Sequence, residues 1–391
     1  MSDTAPRVGL GTIAREWGRI GCVGFGGPPA HISLLRDLCV ERRKWIKAGD
    51  FEDGIAATNL LPGPASTQLA ILTAWRLRGA PGAMVGGVCF ILPGLVLILA
   101  LAALFLAGDP PRWVSGAAAG AGAAVAGVAA QAALRLGPAS RRRAEGRAAR
   151  RRWYVYVAVG ALATILTGPW LVLILLAVGF FEVGVRARAT AGDEGEGRLG
   201  AWPLLAAAPA AMATGGLGAL SWVAFKIGAL SYGGGFVIIP LMQSDAVNLY
   251  GWMTEGQFLN AVALGQITPG PIVQTVAVVG YAAAGLGGGL LAAAVAFGPS
   301  FLFVLLGARR FDRLRRHRAA QSFFLGAGPA VVGAIAGSAV PLALALQHAW
   351  QFGVLAAAAV WLLAARRGVV PALLGAGAAG VVAALAGLPT S

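Results

Sequence analysis

Long runs of apolar residues dominate this chain and alternate with short segments that are rich in arginine. Clear runs extend over 85–107, 113–133 and 290–306. Runs of about 18 apolar residues or more are typical of helices that span a membrane. The pattern therefore predicts an all-α, polytopic membrane protein.

The apolar runs and their interruptions occur twice along the chain. Residues 19–64 align without gaps on residues 226–271 at an offset of 207, and after a one-residue gap the offset becomes 206. A register held through so many unusual residues indicates a duplication. The matched pairs are Arg19 with Lys226, Phe25-Gly26-Gly27 with Tyr232-Gly233-Gly234, Trp45 with Trp252, Pro62-Gly63-Pro64 with Pro269-Gly270-Pro271, Gln68 with Gln274, and Pro93 with Pro299.

The arginines give the two halves opposite directions. Arg42-Arg43-Lys44 and Arg76 precede the first long span, whereas its counterpart near 287–307 is followed by Arg309 and Arg310. Because cations concentrate on the cytoplasmic side, the first span is predicted to run outward and its counterpart inward. We expect a bacterial plasma (inner) membrane protein with its N-terminus in the cytoplasm and its C-terminus outside. Its predicted parts are a first half (1–188), a linker with an extra crossing (189–216) and an inverted second half (217–391).

Glycine and proline interrupt the segments that precede each long span. Residues 9–43 and 51–78 have inverted copies at 217–250 and 258–285. Proline stops one helix and fits the first turn of the next, so each segment is predicted to be a re-entrant hairpin of two half-helices. Helix starts at such breaks present free N–H groups and partial positive charge. We therefore expect the four breaks to form one polar anion site between the halves.

Polar side chains cluster around these breaks. A cation within an apolar helix costs at least ~2.5 kcal/mol, so Arg19 and Lys226 are symmetric candidates to hold a dianion. Snorkelling of Arg19 to the interface and helix capping by His31 are the open alternatives. The candidate substrate-binding residues are Arg19, Gly26, Gly27, His31, Asn59, Gly63, Gln68, Lys226, Gly233, Gly234, Gln266, Thr268, Gly270 and Gln274.

Three acidic residues are candidates for a gate or a proton path. Glu52 and Asp53 lie just before the second hairpin, where they could equally be helix N-terminal charges. Glu182 lies in an apolar stretch four residues before Arg186, so a local ion pair is its simplest interpretation.

Composition excludes several other classes. Hydrophobic residues make up 58% of the chain and charged residues 12%, whereas about a quarter of residues are charged in soluble domains. The formal charge of +15 resides largely at the ends of apolar spans, so we expect no nucleic-acid partner. The three cysteines lack metal-ligand spacing and no Walker A sequence occurs; we expect no metal, no cofactor and no enzyme activity. Residues 1–7 lack the pattern of a cleavable leader, so we expect no processing there.

At these residues the chain resembles the chromate ion transporter family in its long, two-domain form. The resemblance implies a secondary active exporter of chromate that confers chromate resistance, driven by the membrane potential or a proton gradient. Uptake or exchange of sulfate, which has the same shape and charge, is the alternative, and a passive anion channel is a second one. Formation of a homodimer is left open. The motifs are Phe25-Gly26-Gly27-Pro28-Pro29-Ala30-His31, Glu41-Arg42-Arg43-Lys44-Trp45, Leu60-Leu61-Pro62-Gly63-Pro64 with Gln68, Phe90-Ile91-Leu92-Pro93, Tyr232-Gly233-Gly234 and Gln266-Ile267-Thr268-Pro269-Gly270-Pro271.

Overall fold

The computed structural model describes most of the chain as helices, and no strand occurs among the residues that it describes. The prediction of an all-α, polytopic membrane protein is confirmed. Helical segments that are long and apolar enough to cross a membrane are Ala65–Phe105, Arg112–Arg142, Ile272–Gly307 and Gln321–Leu344. The described residues are 8–58, 61, 63–106, 110–167, 171–190, 216–231, 238–307 and 318–389. The predicted extra crossing at 201–216 lies outside them except for its last residue.

The first half contains eight helices in its described residues. A π-helical turn, Asp37–Arg42, continues the second of them. The helices are α1 (Leu10–Val23), α2 (Pro28–Arg36), α3 (Ala48–Thr58), α4 (Ala65–Phe105), α5 (Arg112–Ala123), α6 (Val125–Arg142), α7 (Arg147–Thr167) and α8 (Leu171–Thr190).

The described residues of the second half contain seven helices. A π-helical turn, Ser244–Leu249, again follows the second helix of the half, and a 3-10 turn, Ile272–Gln274, precedes the fourth. The helices are α9 (Gly216–Leu230), α10 (Ile238–Gln243), α11 (Glu255–Ile267), α12 (Thr275–Gly307), α13 (Arg318–Leu344), α14 (Ala349–Ala359, continued as the π turn Val360–Ala364) and α15 (Val369–Leu385).

The backbone repeats the register seen in the sequence. The two π turns are 207 residues apart, as are Gly63 and Gly270, which share φ values of 117° and 101°. The long helices α4 and α12 have the same sharp turn 206 residues apart, at Gly79 (φ 64°) and Gly285 (φ 62°). Local conformation is therefore common to the two halves even where the side chains differ.

Each sharp turn folds a long helix back on itself. In α4 the first arm, 65–77, and the second arm, 80–105, meet so closely that a methyl group at Gly82 would overlap the carbonyl oxygen of Ala74. In α12 a methyl group at Gly280 would likewise overlap the carbonyl oxygen of Gly288. The first arms of α4 and α12 thus pair with α3 and α11 as the second members of the expected hairpins, and the second arms form the long apolar spans.

The second arms of α4 and α12 pack against each other in antiparallel directions. Gly87 faces Phe301, whereas Leu99, further along α4, faces Gly289, which comes earlier in α12. Small residues permit the close approach, as is usual for helix pairs in lipid. The remaining helices also pack across the halves, α5 on α15 and α7 on α13, so neither half buries its apolar faces alone.

Candidate functional site

The helix breaks of the two halves meet at one place, which we call the central seam. The backbone N–H of Gly270 donates a hydrogen bond of 3.0 Å to the carbonyl oxygen of Gly24. Gly27, at the start of α2, lies against the side chain of Ile272. Gly63 lies against the carbonyl oxygen of Gly228 at the end of α9. Each half thus contributes both of its breaks to the seam.

The seam is reciprocal between the two halves. Gly63 and Gln68, in the second break of the first half, lie against Ser300 of α12 or its immediate surroundings. Their counterparts Gly270 and Gln274 lie beside Gly94 of α4, which is the counterpart of Ser300 at offset 206. The amide of Gln274 also donates to the carbonyl oxygen of Ile91, at 2.9 Å. The break of each half therefore packs on the long span of the other.

His31 organises the first break from within α2. Its Nε2 donates to the carbonyl oxygen of Gly24 at 2.9 Å, and its Nδ1 lies 3.2 Å from the hydroxyl of Ser66 in α4. Its ring packs edge-on against Phe90, with 5.0 Å between the ring centroids. Because His31 is fully buried and has a partner at each nitrogen, it connects α2 to both arms of α4 and holds the break in place.

Buried hydrogen-bonding atoms around the seam have no partner among the residues that the structure describes. Native interiors leave few such atoms, because each costs about 1–3 kcal/mol when it is cut off from water. Three are hydroxyl groups and one is an amide NH₂, so the set is rich in donors. The atoms are Thr67 Oγ1, Ser231 Oγ, Gln266 Nε2, Gln274 Oε1 and Ser300 Oγ.

Two helix starts at the seam also lack side-chain caps. Pro64 precedes α4 and Pro271 precedes the 3-10 turn that begins α12, and neither position carries a capping side chain. The first N–H groups of a helix have no partner within the helix and lie at the positive end of its dipole. Together with the unpartnered donors, they make the seam suited to an anion rather than to a cation.

A cavity of about 280 Å³ adjoins the seam. Its wall at the seam includes Gly26, Gly63 and Gln266, and it continues between α6 and α13. The volume is sufficient for a small oxyanion with several water molecules. The cavity gives the unpartnered amide of Gln266 a route to solvent-filled space.

The two predicted cations differ sharply. Lys226 is buried, and its Nζ forms an ion pair with Asp245 Oδ2 at 2.5 Å. Arg19 lies on the exposed face of α1, and no described residue forms an ion pair or a hydrogen bond with its side chain. The structure therefore does not bring the two cations together as a symmetric pair.

The other predicted binding residues divide into three groups. Gly26, Gly27, Gly63 and Gly270 all have positive φ and form the turns of the breaks. Gln68, Gln266 and Gln274 are buried at the seam, whereas the hydroxyl of Thr268 donates to the carbonyl oxygen of Leu264 at 2.8 Å and ends α11. The predictions for Asn59, Gly233 and Gly234 concern residues outside those that the structure describes.

The predicted acidic residues lie in local contacts. Glu52 is exposed and forms an ion pair of 3.1 Å with Arg36, and Asp53 is exposed beside it. The buried carboxylate of Glu182 accepts two hydrogen bonds from Arg152 and one each from Arg186 and Tyr156. The local ion pair of Glu182 with Arg186 is present, and Arg152 and Tyr156 extend it to join α7 to α8.

Several residues at or near the seam were missed from the sequence. Asp245 could have been noticed as an acid within the apolar hairpin 217–250 that contains Lys226. Ser300 and Gly94 could have been paired through the offset of 206, but nothing in that pairing says that they face a break. Their part in the seam follows only from the packing of the long spans.

Comparison with known proteins shows the family. The family model for chromate transporters matches twice, at residues 11–181 and 218–382, so the two matches begin 207 residues apart. The chain belongs to the chromate transporter family. No solved structure matches the chain.

Similar proteins in this family come from several bacteria. A chromate transport protein of Cupriavidus metallidurans is 34% identical over 348 residues, which cover 87% of this chain and 84% of the relative. A probable chromate transport protein of Synechococcus elongatus is 30% identical, covering 92% and 91%. A chromate transport protein of Pseudomonas aeruginosa is 31% identical, covering 83% and 79%. The similarity to these members of the family thus extends over both halves and includes the seam.

Proposed function

We propose that this chain is a secondary active transporter that exports chromate across a bacterial plasma membrane and binds the dianion at the central seam. The observation that carries the choice of site is the group of buried, unpartnered hydrogen-bond donors where the breaks of the two halves meet. Membership of the chromate transporter family supports chromate as the transported ion.

The chemistry of the seam accounts for recognition of a tetrahedral dianion. Chromate has four oxygens that accept hydrogen bonds, and these lose water when the ion enters a protein. The hydroxyls of Thr67, Ser231 and Ser300 and the amide of Gln266 can replace that water. Hydrogen bonds to a charged group contribute about 1.5–3 kcal/mol each, and the uncapped helix starts add favourable dipole charge.

Alternating access follows from two halves that rock against each other around the site. The antiparallel packing of the second arms of α4 and α12 supports an inverted arrangement, because equivalent helices then cross the membrane in opposite directions. The arginine-rich segment 141–152 between α6 and α7 would lie in the cytoplasm, together with the N-terminus, and the C-terminus would lie outside.

Transport into everted membrane vesicles tests this function directly. Energised vesicles that contain the chain should accumulate chromate with saturable kinetics, and collapse of the proton and electrical gradients should abolish accumulation. Flux that does not saturate and never exceeds equilibrium would instead identify a passive channel. Accumulation of chromate only in right-side-out vesicles would contradict export and favour uptake.

Substrate choice is tested in the same vesicles. Excess sulfate should compete weakly if chromate is the substrate; sulfate that is itself accumulated as fast as chromate would identify a general oxyanion exchanger. The Ser300→Ala variant removes one unpartnered donor and should raise the KM for chromate by about 10-fold or more at unchanged expression, from the value of one hydrogen bond to a charged group. An unchanged KM would exclude Ser300 from the site.

A further inference from the structure

The cavity beside the central seam has two arginines at its far end. Arg135 and Arg143 lie eight residues apart near the C-terminal end of α6, with Ala139 midway between them, and all three line the cavity. Positions separated by four residues lie on the same face of a helix. The two guanidinium groups therefore form one cationic stripe along the cavity wall.

The charges of this stripe are not neutralised within the described part of the chain. Arg135 and Arg143 are exposed and form neither an ion pair nor a side-chain hydrogen bond with a described residue. Their neighbours differ, because Arg141 donates to the hydroxyl of Tyr154 and Arg152 pairs with Glu182. The residues that line the cavity include these two arginines and no aspartate or glutamate.

A one-signed cavity of this kind attracts ions of opposite charge. Low-dielectric walls focus the field of the arginines, which raises the local concentration of anions and their rate of entry by about 10-fold or more. The same cavity reaches Gly63 and Gln266 at the seam, so an anion held at the stripe has a continuous path inward.

We propose that Arg135, Ala139 and Arg143 form an anion-recruiting vestibule, a second subsite through which an oxyanion dianion passes between the aqueous phase and the seam. This inference rests on the proposed function, because it assigns an approach route to the same transport site. Arg135 and Arg143 are positioning residues for the substrate, distinct from the hydrogen-bond donors that hold it at the seam.

The first experiment measures initial rates of chromate transport in vesicles of matched expression. Arg135→Gln combined with Arg143→Gln should raise KM about 10-fold at low ionic strength, with little change in the maximal rate, and should flatten the dependence of KM on salt. Arg142→Gln is the matched control, since it removes a neighbouring exposed charge that does not line the cavity. Equal effects of the Arg142 and Arg143 variants would overturn the proposal.

The second experiment does not depend on chromate transport. In a background without Cys22, Cys39 and Cys89, Ala139→Cys is labelled with an anionic and with a cationic methanethiosulfonate reagent. The anionic reagent should react several-fold faster, sulfate should slow it, and the double arginine variant should abolish both effects. A rate ratio that does not change with the arginines would overturn the vestibule even if the chain transports chromate. If the ratio responds as expected but no chromate is transported, the proposed function fails and the anion vestibule stands.

Discussion

The first hairpins of the two halves have the same backbone and different ion pairs. In the first half, Arg43 bonds Glu16 of α1 at 3.0 Å, and about half of the arginine side chain is exposed. In the second half, Lys226 of α9 bonds Asp245 at 2.5 Å, and both side chains are buried. The positions do not correspond. The counterparts of Glu16 and Arg43 are Val223 and Tyr250, and those of Lys226 and Asp245 are Arg19 and Leu38.

This exchange shows that duplication preserved the fold of the hairpin but not its chemistry. Each hairpin has one ion pair that joins its first helix to the segment after its break, at the rim in one half and in the interior in the other. Leu38 gives Arg19 no acidic partner, and Arg19 stays exposed. Aligned residues of the two halves therefore need not share a role, even where both are cations.

The largest expected effect is at the buried ion pair. Lys226→Ala leaves Asp245 buried without its partner, which should lower the free energy of unfolding by about 3–5 kcal/mol. Thermal stability of the detergent-solubilised protein measures this loss. The double variant Lys226→Met with Asp245→Leu should recover most of it, because an apolar pair of similar volume avoids the cost of an isolated charge.

The double variant also separates structure from substrate binding. If Lys226 only holds the hairpin, the stable double variant should transport chromate at a rate near that of the wild type. If Lys226 binds the dianion, the double variant should be stable and inactive. Instability of the double variant equal to that of Lys226→Ala would show that the pair is not the origin of the loss.

The next effect concerns the equivalent positions Gly94 and Ser300. A methyl group at Gly94 would overlap the carbonyl oxygen of Pro269, and the backbone there has little freedom to move. Gly94→Ala should cost about 1–3 kcal/mol of stability, as overpacking does. Ser300→Ala should leave stability within ~0.5 kcal/mol and affect KM alone. Equal losses of stability at both positions would contradict the reciprocal packing of the seam.

A comparable effect is expected at His31, whose counterpart is the apolar Ile238. His31→Ile removes a donor from the carbonyl oxygen of Gly24 and a partner from Ser66, while it restores the residue type of the other half. Loss of these buried hydrogen bonds should cost about 1–3 kcal/mol in thermal stability. A variant as stable as the wild type would show that the two breaks do not need different supports.

The smallest effect is expected at Arg19. Because its side chain is exposed and unpaired among the described residues, Arg19→Ala should change stability by less than ~0.5 kcal/mol. We expect chromate transport to remain near the wild-type rate. A large loss of transport at matched expression would restore Arg19 as a substrate ligand and with it the symmetric pair of cations.

Much of the fold could be predicted from particular short segments. The breaks at Gly26-Gly27 and at Gly63, and their register with Gly270, follow from the local preferences of glycine and proline. The site was predicted less completely. Gln266 and Gln274 were identified because they adjoin a break, whereas Ser300 and Asp245 lie far from the motifs along the chain. No local preference indicates that Ser300 meets Gly63.

The sequence by itself determined the membrane class, the duplication and the places where helices break, because each depends on composition or spacing within a short stretch. The tertiary structure alone decided which polar groups meet and which remain without partners. It paired Lys226 with Asp245, left Arg19 exposed and left the hydroxyl of Ser300 without a described partner. These outcomes depend on how helices from both halves pack, and small shifts of a helix face change which side chains lie within hydrogen-bond distance.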